Sequence, residues 1–368
     1  MAENPKPVYY SDYLQLDRLL TSQSPKSVES GAPAHDEMLF IIVHQVFELW
    51  FKQILHELDA VLTQFRNEYV DERQIGVVTS RLLRITEIQK LINDQFRVLE
   101  TMTPLDFLEF RGKLAPASGF QSVQFRLIEN KLGLPPQRRM QFDKEAYTSH
   151  VSPEHRELIL AAEAEPALVL LVERWLERTP FLDFNGFNFW AAYRQAVERM
   201  LQHDRENIQN NPHLSAAEKA KQLESLTANV ESFNALFDET MHRQLMAKGK
   251  RQFSYQATQA VLLIQLYRDE PILHLPFRLL TALVEIDELF TTWRYQHALM
   301  VHRMIGTKIG TGGSAGYHYL KATVDKHKLF PDLFDLSTFL IPRSELPELP
   351  EEIRRNLGFY YSAHSQLP

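Results

Sequence analysis

The 368-residue chain is 44% hydrophobic and 24% charged, the balance of a soluble globular protein, and is long enough for one large domain or two ordinary ones. Its net charge of −7 argues against a nucleic-acid-binding surface. The absence of cysteine excludes disulfides, thiolate metal sites, iron–sulfur clusters and cysteine nucleophiles together, and fits a reducing compartment.

The first residues lack the basic-then-apolar pattern of a signal peptide, and no run approaches about 18 uninterrupted apolar residues. A cytoplasmic chain with no membrane partner is therefore expected. Only 13 residues are glycine. The long segments repeat every 3.6 residues and convincing period-2 runs are absent, so the chain reads as all-α.

Residues 1–34 form an aromatic-rich arm carrying Tyr9, Tyr10 and Tyr13. Such an arm is too short to fold alone and can dock on a partner subunit. Residues 36–66 read as a strong helix with Asp36 and Glu37 at its start. Phe40, His44, Phe47, Phe51, Ile54, Leu58 and Val61 share one stripe. The stretch from Met38 to Val43 is apolar all round and should be deeply buried. His44 interrupts the stripe, with Glu48 one turn on as a possible structural pair.

Residues 71–100 give a third helix, with Ile75, Val78, Leu82, Ile85, Ile88, Leu91, Phe96 and Leu99 inward. Thr103-Pro104 with Asp106 then signals a helix start. On this next helix Phe107, Arg111 and Leu114 share a face. An arginine between two apolar residues either snorkels to the surface or meets an anion, and a guanidinium suits a carboxylate bidentately. The loop 115–119 leads into a helix that stops at Gly133. Residues 134–165 are polar and irregular with short helical pieces, a helix runs from Pro166 to about Arg178, and a Pro/Gly/Phe-rich loop follows. Residues 189–249 turn polar and read as a helical hairpin, 188–206 and 215–247, with a capping box at Ser215 and Glu218. An apolar helix from Ser254 to Arg268 comes next.

Pro276 to Gly306 is the most apolar long helix. Leu279, Leu283, Ile286, Phe290, Trp293, His297, Met300 and Met304 follow at intervals of three and four, on one stripe. Glu285, Asp287 and Glu288 lie off it and read as solvated. A histidine there is either a core residue bonded to a carbonyl or a ligand, and the stripe alone does not decide. Five glycines then fall within residues 306–316. The spacing is neither a P-loop nor a dinucleotide fingerprint, so the segment is a flexible loop or a binding loop.

No HExxH and no nucleophile elbow is present, and His297 and His302 point to different sides of their helix. What remains is two histidines on apolar helices, a third helix bearing arginine, and a Gly/Thr loop. A haem needs one protein nitrogen and a large apolar slot. A helical bundle with two satisfied core histidines meets the same pattern.

Residues HDEMLFIIVHQVFELWFKQIL, LETMTPLDFLEFRGKLAPASGFQSVQFRLIENKLG and WRYQHALMVHRMIGTKIGTGGSAGYHYL closely resemble the tryptophan 2,3-dioxygenases, haem enzymes that open the indole ring. The resemblance runs from about Tyr9 to Arg343. It implies a cytoplasmic homotetramer, a dimer of dimers, with one haem b per subunit, acting on L-tryptophan and O2. The fold implied is an all-helical haem domain over residues 35–368, interrupted by the 189–249 hairpin, with the 1–34 arm reaching a neighbouring subunit.

Residue by residue, the resemblance makes His297 the proximal haem ligand and puts Trp293 and Tyr319 beside the haem. Phe40, Phe107 and Leu114 become indole-pocket walls, His44 the partner of the indole N–H, and Arg111 the partner of the substrate carboxylate. Ser118 and Gly119 lie near substrate and oxygen, Thr311 holds the amino-acid end, and Tyr10 and Tyr13 enter a neighbour's pocket. Ala315 stands for a usual serine, and Val46-Phe47 for a common Ala-Tyr. Related haem proteins insert one oxygen instead of two, and a non-catalytic haem-binding bundle is the remaining alternative.

Overall fold

The computed structural model describes residues 7–67, 70–135, 138–139, 148, 151–180, 182–184, 186–310 and 316–358. Its principal helices are α1 (Glu37–Phe65), α2 (Glu72–Asp94), α3 (Pro104–Arg111), α4 (Val123–Leu132), α5 (Leu168–Leu176), α6 (Phe189–Asn210), α7 (Ala216–Phe237), α8 (Glu239–Ala247), α9 (Tyr255–Leu266), α10 (Pro271–Ile305) and α11 (Tyr317–Lys326). Short helical turns fill several connections. The strand content among the described residues is a two-stranded antiparallel ribbon, Asp183–Phe184 against Phe187–Asn188, within the loop that precedes α6. Gly186 turns it at φ 83°, a left-handed value that favours glycine. The fold is all-α, as periodicity predicts.

The helices start where the sequence supplies caps. Thr103 and Asp106 form a reciprocal capping box at α3, with Pro104 at the first position. The Ser122 hydroxyl accepts the Phe125 N–H at the start of α4, and Gly133 ends that helix at φ 113°. A Cβ on Gly133 would stand 2.4 Å from Val169 Cγ1, so both backbone angle and packing demand glycine.

Helix α10 is the axis of the molecule. Leu279, Leu283 and Ile286 have no solvent exposure and Phe290 has almost none. It packs along α2 and α11, and α2 packs on α1. Two side chains of α2 fasten it to α10: Gln89 Nε2 donates to the Ile286 carbonyl at 3.1 Å, and Asn93 Nδ2 to that of Leu289 at 3.2 Å. Helix α10 begins at Pro271, five residues before the expected Pro276, which lies inside the helix. That interior proline forfeits one backbone bond. Its turn is partly solvated (Ile272 51% exposed), so the freed carbonyl can be hydrated.

Three sequence expectations are corrected. Met38 and Ile42 are exposed rather than deeply buried, because only one face of α1 is covered within a single chain. Leu91 also faces out, and Ile92 continues the α2 stripe in its place. Asp287 is fully buried, where its Oδ2 accepts the backbone N–H groups of Leu329 and Phe330 at 3.0 and 2.9 Å. By length and apolarity α1 could cross a membrane. Here Phe51, Ile54, Leu58 and Val61 are part of the common core.

The polar hairpin is built from α6 and α7, which pack on each other. Its base belongs to the core, with Phe189, Tyr193, Val197 and Phe233 buried and the Tyr193 hydroxyl donating to the Phe339 carbonyl. The second arm breaks at Asp238, whose carboxylate caps α8.

Candidate functional site

A cavity of 290 Å³ lies between α1, α3, α4, α10 and α11. Its walls include Phe40, His44, Phe107, Arg111, Ser118, Gly119, Trp293, His297 and Tyr319, from segments nearly 280 residues apart in the chain. His302 is not part of the wall; it is exposed and packs its ring on Tyr317 at 4.4 Å. The two histidines that interrupt the apolar stripes of α1 and α10 therefore face one space. His44 keeps solvent-accessible surface and His297 is half-buried, and both line the cavity.

Desolvation by the surrounding protein controls the charge of both rings. Burial, helped by the nearby His44, brings His297 down to about 4, so it is a neutral imidazole at physiological pH. Neither of its ring nitrogens is hydrogen-bonded among the described residues. Burial also lowers His44, although the Phe40 carbonyl and the charge of Glu48 act in the opposite direction. His44 Nδ1 lies 2.7 Å from the Phe40 carbonyl oxygen. A carbonyl only accepts, so Nδ1 carries the proton and Nε2 keeps its lone pair. Glu48 does not bond His44; its carboxylate accepts from Gln124 Nε2 at 2.8 Å, linking α1 to α4.

Aromatic rings line the rest. Phe40 stands 4.1 Å from His44 and 5.7 Å from Phe107, centroid to centroid. Trp293 lies 5.1 Å from the His297 ring and 4.9 Å from Phe125. Tyr319 packs against Phe120 at 5.2 Å. Its phenol is raised above its ordinary pKa by burial and stays protonated. Ser118 caps the short turn 119–121, accepting the Phe120 N–H at 3.4 Å.

Arg111 follows neither sequence alternative outright. It is half-buried on the cavity wall, and its Nη2 donates to the carbonyl of Ile309 in the glycine-rich segment. Leu114 packs against the core and is not on the cavity wall. Tyr10 and Tyr13 are 71% and 75% exposed in the terminal arm, away from this chain's cavity. Thr311 and Ala315 lie outside the described residues.

One part of the wall has no counterpart in the sequence expectations. Arg126, Glu129, Arg294 and His327 join at the cavity edge, with Arg139 behind them. Burial pushes the Glu129 carboxyl up, but Arg139, a His327 hydrogen bond, Arg126 and Arg294 together hold it well below the usual carboxylate range. The local signals were an arginine beside Phe125 and another beside Trp293, each within an apolar stretch.

Among the described residues no three His, Asp or Glu side chains converge on a metal-ion site. The donor set instead suits a prosthetic group that brings its own equatorial ligands: one neutral imidazole, aromatic and aliphatic walls, and cationic side chains at an edge. The buried Trp293 Nε1, which has no hydrogen-bond partner among the described residues, adds an N–H donor in that wall residue.

Comparison with known proteins gives the same direction. The tryptophan 2,3-dioxygenase family model matches residues 2–340. A tryptophan 2,3-dioxygenase from Bdellovibrio bacteriovorus is 54% identical over 355 residues, covering 96% of this chain and 99% of the relative. One from Dictyostelium discoideum is 51% identical over 358 residues, covering 97% and 90%. One from Mus musculus is 48% identical over 356 residues, covering 96% and 86%. Matching of this depth across nearly the whole length leaves one conclusion: the chain belongs to the tryptophan 2,3-dioxygenase family.

Proposed function

We propose that this chain is a haem-dependent dioxygenase converting L-tryptophan and O2 to N-formyl-L-kynurenine, the opening step of tryptophan breakdown by the kynurenine route. The observation that carries the reading is the pair of neutral histidines, His44 and His297, on one aromatic cavity with Arg111 on its wall. His297 would hold one haem b per chain, with Trp293 and Tyr319 as the cavity residues that would border it. When bound, the haem supplies the redox-active iron for the reaction of dioxygen with the indole.

The chain's own residues bind, orient and exclude water. Phe40 and Phe107 enclose the indole, and Leu114 backs that wall from the core. His44 accepts the indole N–H at Nε2, the nitrogen left free when Nδ1 donates to Phe40. That role is orientation rather than deprotonation, because an indole N–H is far too weak an acid for a neutral imidazole. Arg111 exchanges the Ile309 carbonyl for the substrate carboxylate, and Thr311 assists at the amino-acid end. Ser118 and Gly119 border substrate and oxygen. Holding the ring and the carboxylate at once fixes the reacting carbons in place.

Residues 35–368 form the catalytic domain in this reading. The arm 1–34 inserts Tyr10 and Tyr13 into a neighbouring subunit of a cytoplasmic homotetramer, a dimer of dimers. The exposure of both tyrosines and of Met38 and Ile42 supports an apolar partner surface.

The test is to incubate the reduced, haem-loaded chain with L-tryptophan and isotopically labelled O2. A product carrying two labelled oxygens is expected. Incorporation of one would make the chain a mono-oxygenase, and no product would leave a haem-binding protein without this activity.

A further inference from the structure

Glu129 collects three arginines from three parts of the chain. Its Oε2 accepts from Arg126 Nη1 at 3.1 Å and from Arg139 Nη1 at 2.8 Å. Its Oε1 accepts from Arg294 Nη2 at 3.1 Å and lies 3.4 Å from His327 Nδ1. Arg294 Nη1 also donates to the His327 carbonyl at 3.1 Å. Every member is buried, from 2% exposed for Glu129 to 8% for Arg126. Arg126, Glu129, Arg294 and His327 border the cavity, and Arg294 lies one turn before His297 on α10.

Stability alone is a weak reason for such a cluster, because desolvating several ions offsets their mutual attraction. Its field is a different matter. Charges enclosed in protein are screened far less than charges in water. An iron centre in that enclosure has a reduction potential that responds to the charge and burial around it.

We propose that the buried cluster of Glu129 with Arg126, Arg139 and Arg294 tunes the reduction potential of the iron held at His297. The proposal rests on the haem reading above. The cluster's residues are tuning residues: they act on the iron through the field and touch no reacting atom. A ferric iron carries one more positive charge than a ferrous one. Negative Glu129 therefore favours the ferric state and lowers the potential, and each arginine favours the ferrous state and raises it. Residues that define α4, α10 and the segment around His327 thus also set how readily the enzyme is held reduced.

The experiment is spectroelectrochemical titration of haem-loaded full-length chains, with haem content and helical circular dichroism measured beside it. Glu129→Gln removes a negative charge and should shift the midpoint upward. Arg294→Gln removes a positive charge and should shift it downward. The double variant Glu129→Gln/Arg294→Gln keeps the net charge and should return close to the parent, and so should Arg294→Lys. Arg139→Gln, which is off the cavity wall, carries the same downward expectation if Arg294→Gln does not fold.

Structural loosening would move both single variants in one direction. Shifts of equal sign, or no shift, would overturn the proposal. Folded charge variants that all lose haem would overturn it too, since the cluster would then retain the group rather than tune it. A parent chain that takes up no haem would instead overturn the haem reading itself.

Discussion

Arg111 gives the sharpest quantitative test of the site. It is half-buried, and one of its Nη atoms already donates to the Ile309 carbonyl. A substrate carboxylate gains a hydrogen bond with both partners charged, worth about 1.5–3 kcal/mol, but displaces the guanidinium's weaker bond to an uncharged carbonyl, worth about 1 kcal/mol. The net contribution is therefore about 0.5–2 kcal/mol, a factor of roughly 2–30. Arg111→Leu should lower kcat/KM for L-tryptophan by that factor, mainly through KM, because the carboxylate is bound alike in ground and transition states. Tryptamine, which lacks the carboxylate, should be turned over equally by parent and variant. Steady-state kinetics on both substrates decide the matter. An equal penalty with tryptamine, or an unchanged KM for L-tryptophan, would refute the carboxylate role.

Further expectations follow from the same geometry. His297→Ala should fold, as judged by circular dichroism, yet fail to show the haem absorption spectrum of the parent; full haem with an unchanged spectrum would remove the ligand assignment. His44→Ala should keep haem and lose about 1 kcal/mol of substrate orientation, roughly fivefold in kcat/KM, with no further loss for a substrate methylated at the indole nitrogen. Burial holds His44 below its ordinary 6.5, so its Nε2 acceptor persists through neutral pH and is lost only as pH falls through that lowered value. The acid limb of kcat/KM should accordingly lie below pH 6.5 in the parent and be absent in His44→Ala. Asp287→Ala leaves two buried N–H groups without their acceptor and should cost on the order of 3 kcal/mol in denaturant unfolding. Asp287→Asn, which keeps a carbonyl acceptor, should cost much less.

Local pattern carried the long helices and the two odd histidines. What it could not decide was direction. A histidine on an apolar stripe meets core or cavity according to what the opposing helices leave open, and for His297 that depends on α1 and α4, far away in the chain. Family motifs point to His297 rather than His302, and His302 faces outward. The Glu129 cluster is not legible in the sequence for the same physical reason. Its members lie at positions 126, 129, 139, 294 and 327, and no window of sequence holds them together. Asp287 reads as solvated because three neighbouring acids resemble an exposed face, while in the fold it satisfies backbone groups of residues 329 and 330. Exposed Met38 and Ile42 show the limit of hydrophobicity as a burial signal. It marks a surface that wants covering without naming the cover.

The hairpin of α6 and α7 interrupts the chain between the cavity wall built by α1, α3 and α4 and the wall built by α10 and α11. Closing a long connection costs only about 0.6 kcal/mol for each doubling of its length. Its base is fixed by Phe189, Tyr193 and Phe233, whereas its far turn carries exposed Pro212 and His213. The length of this arm is thus thermodynamically decoupled from the chemistry it separates. For anyone building reporters from this enzyme, the 211–214 turn is the natural graft point: a fluorescent or affinity domain inserted there lengthens the detour without disturbing either wall.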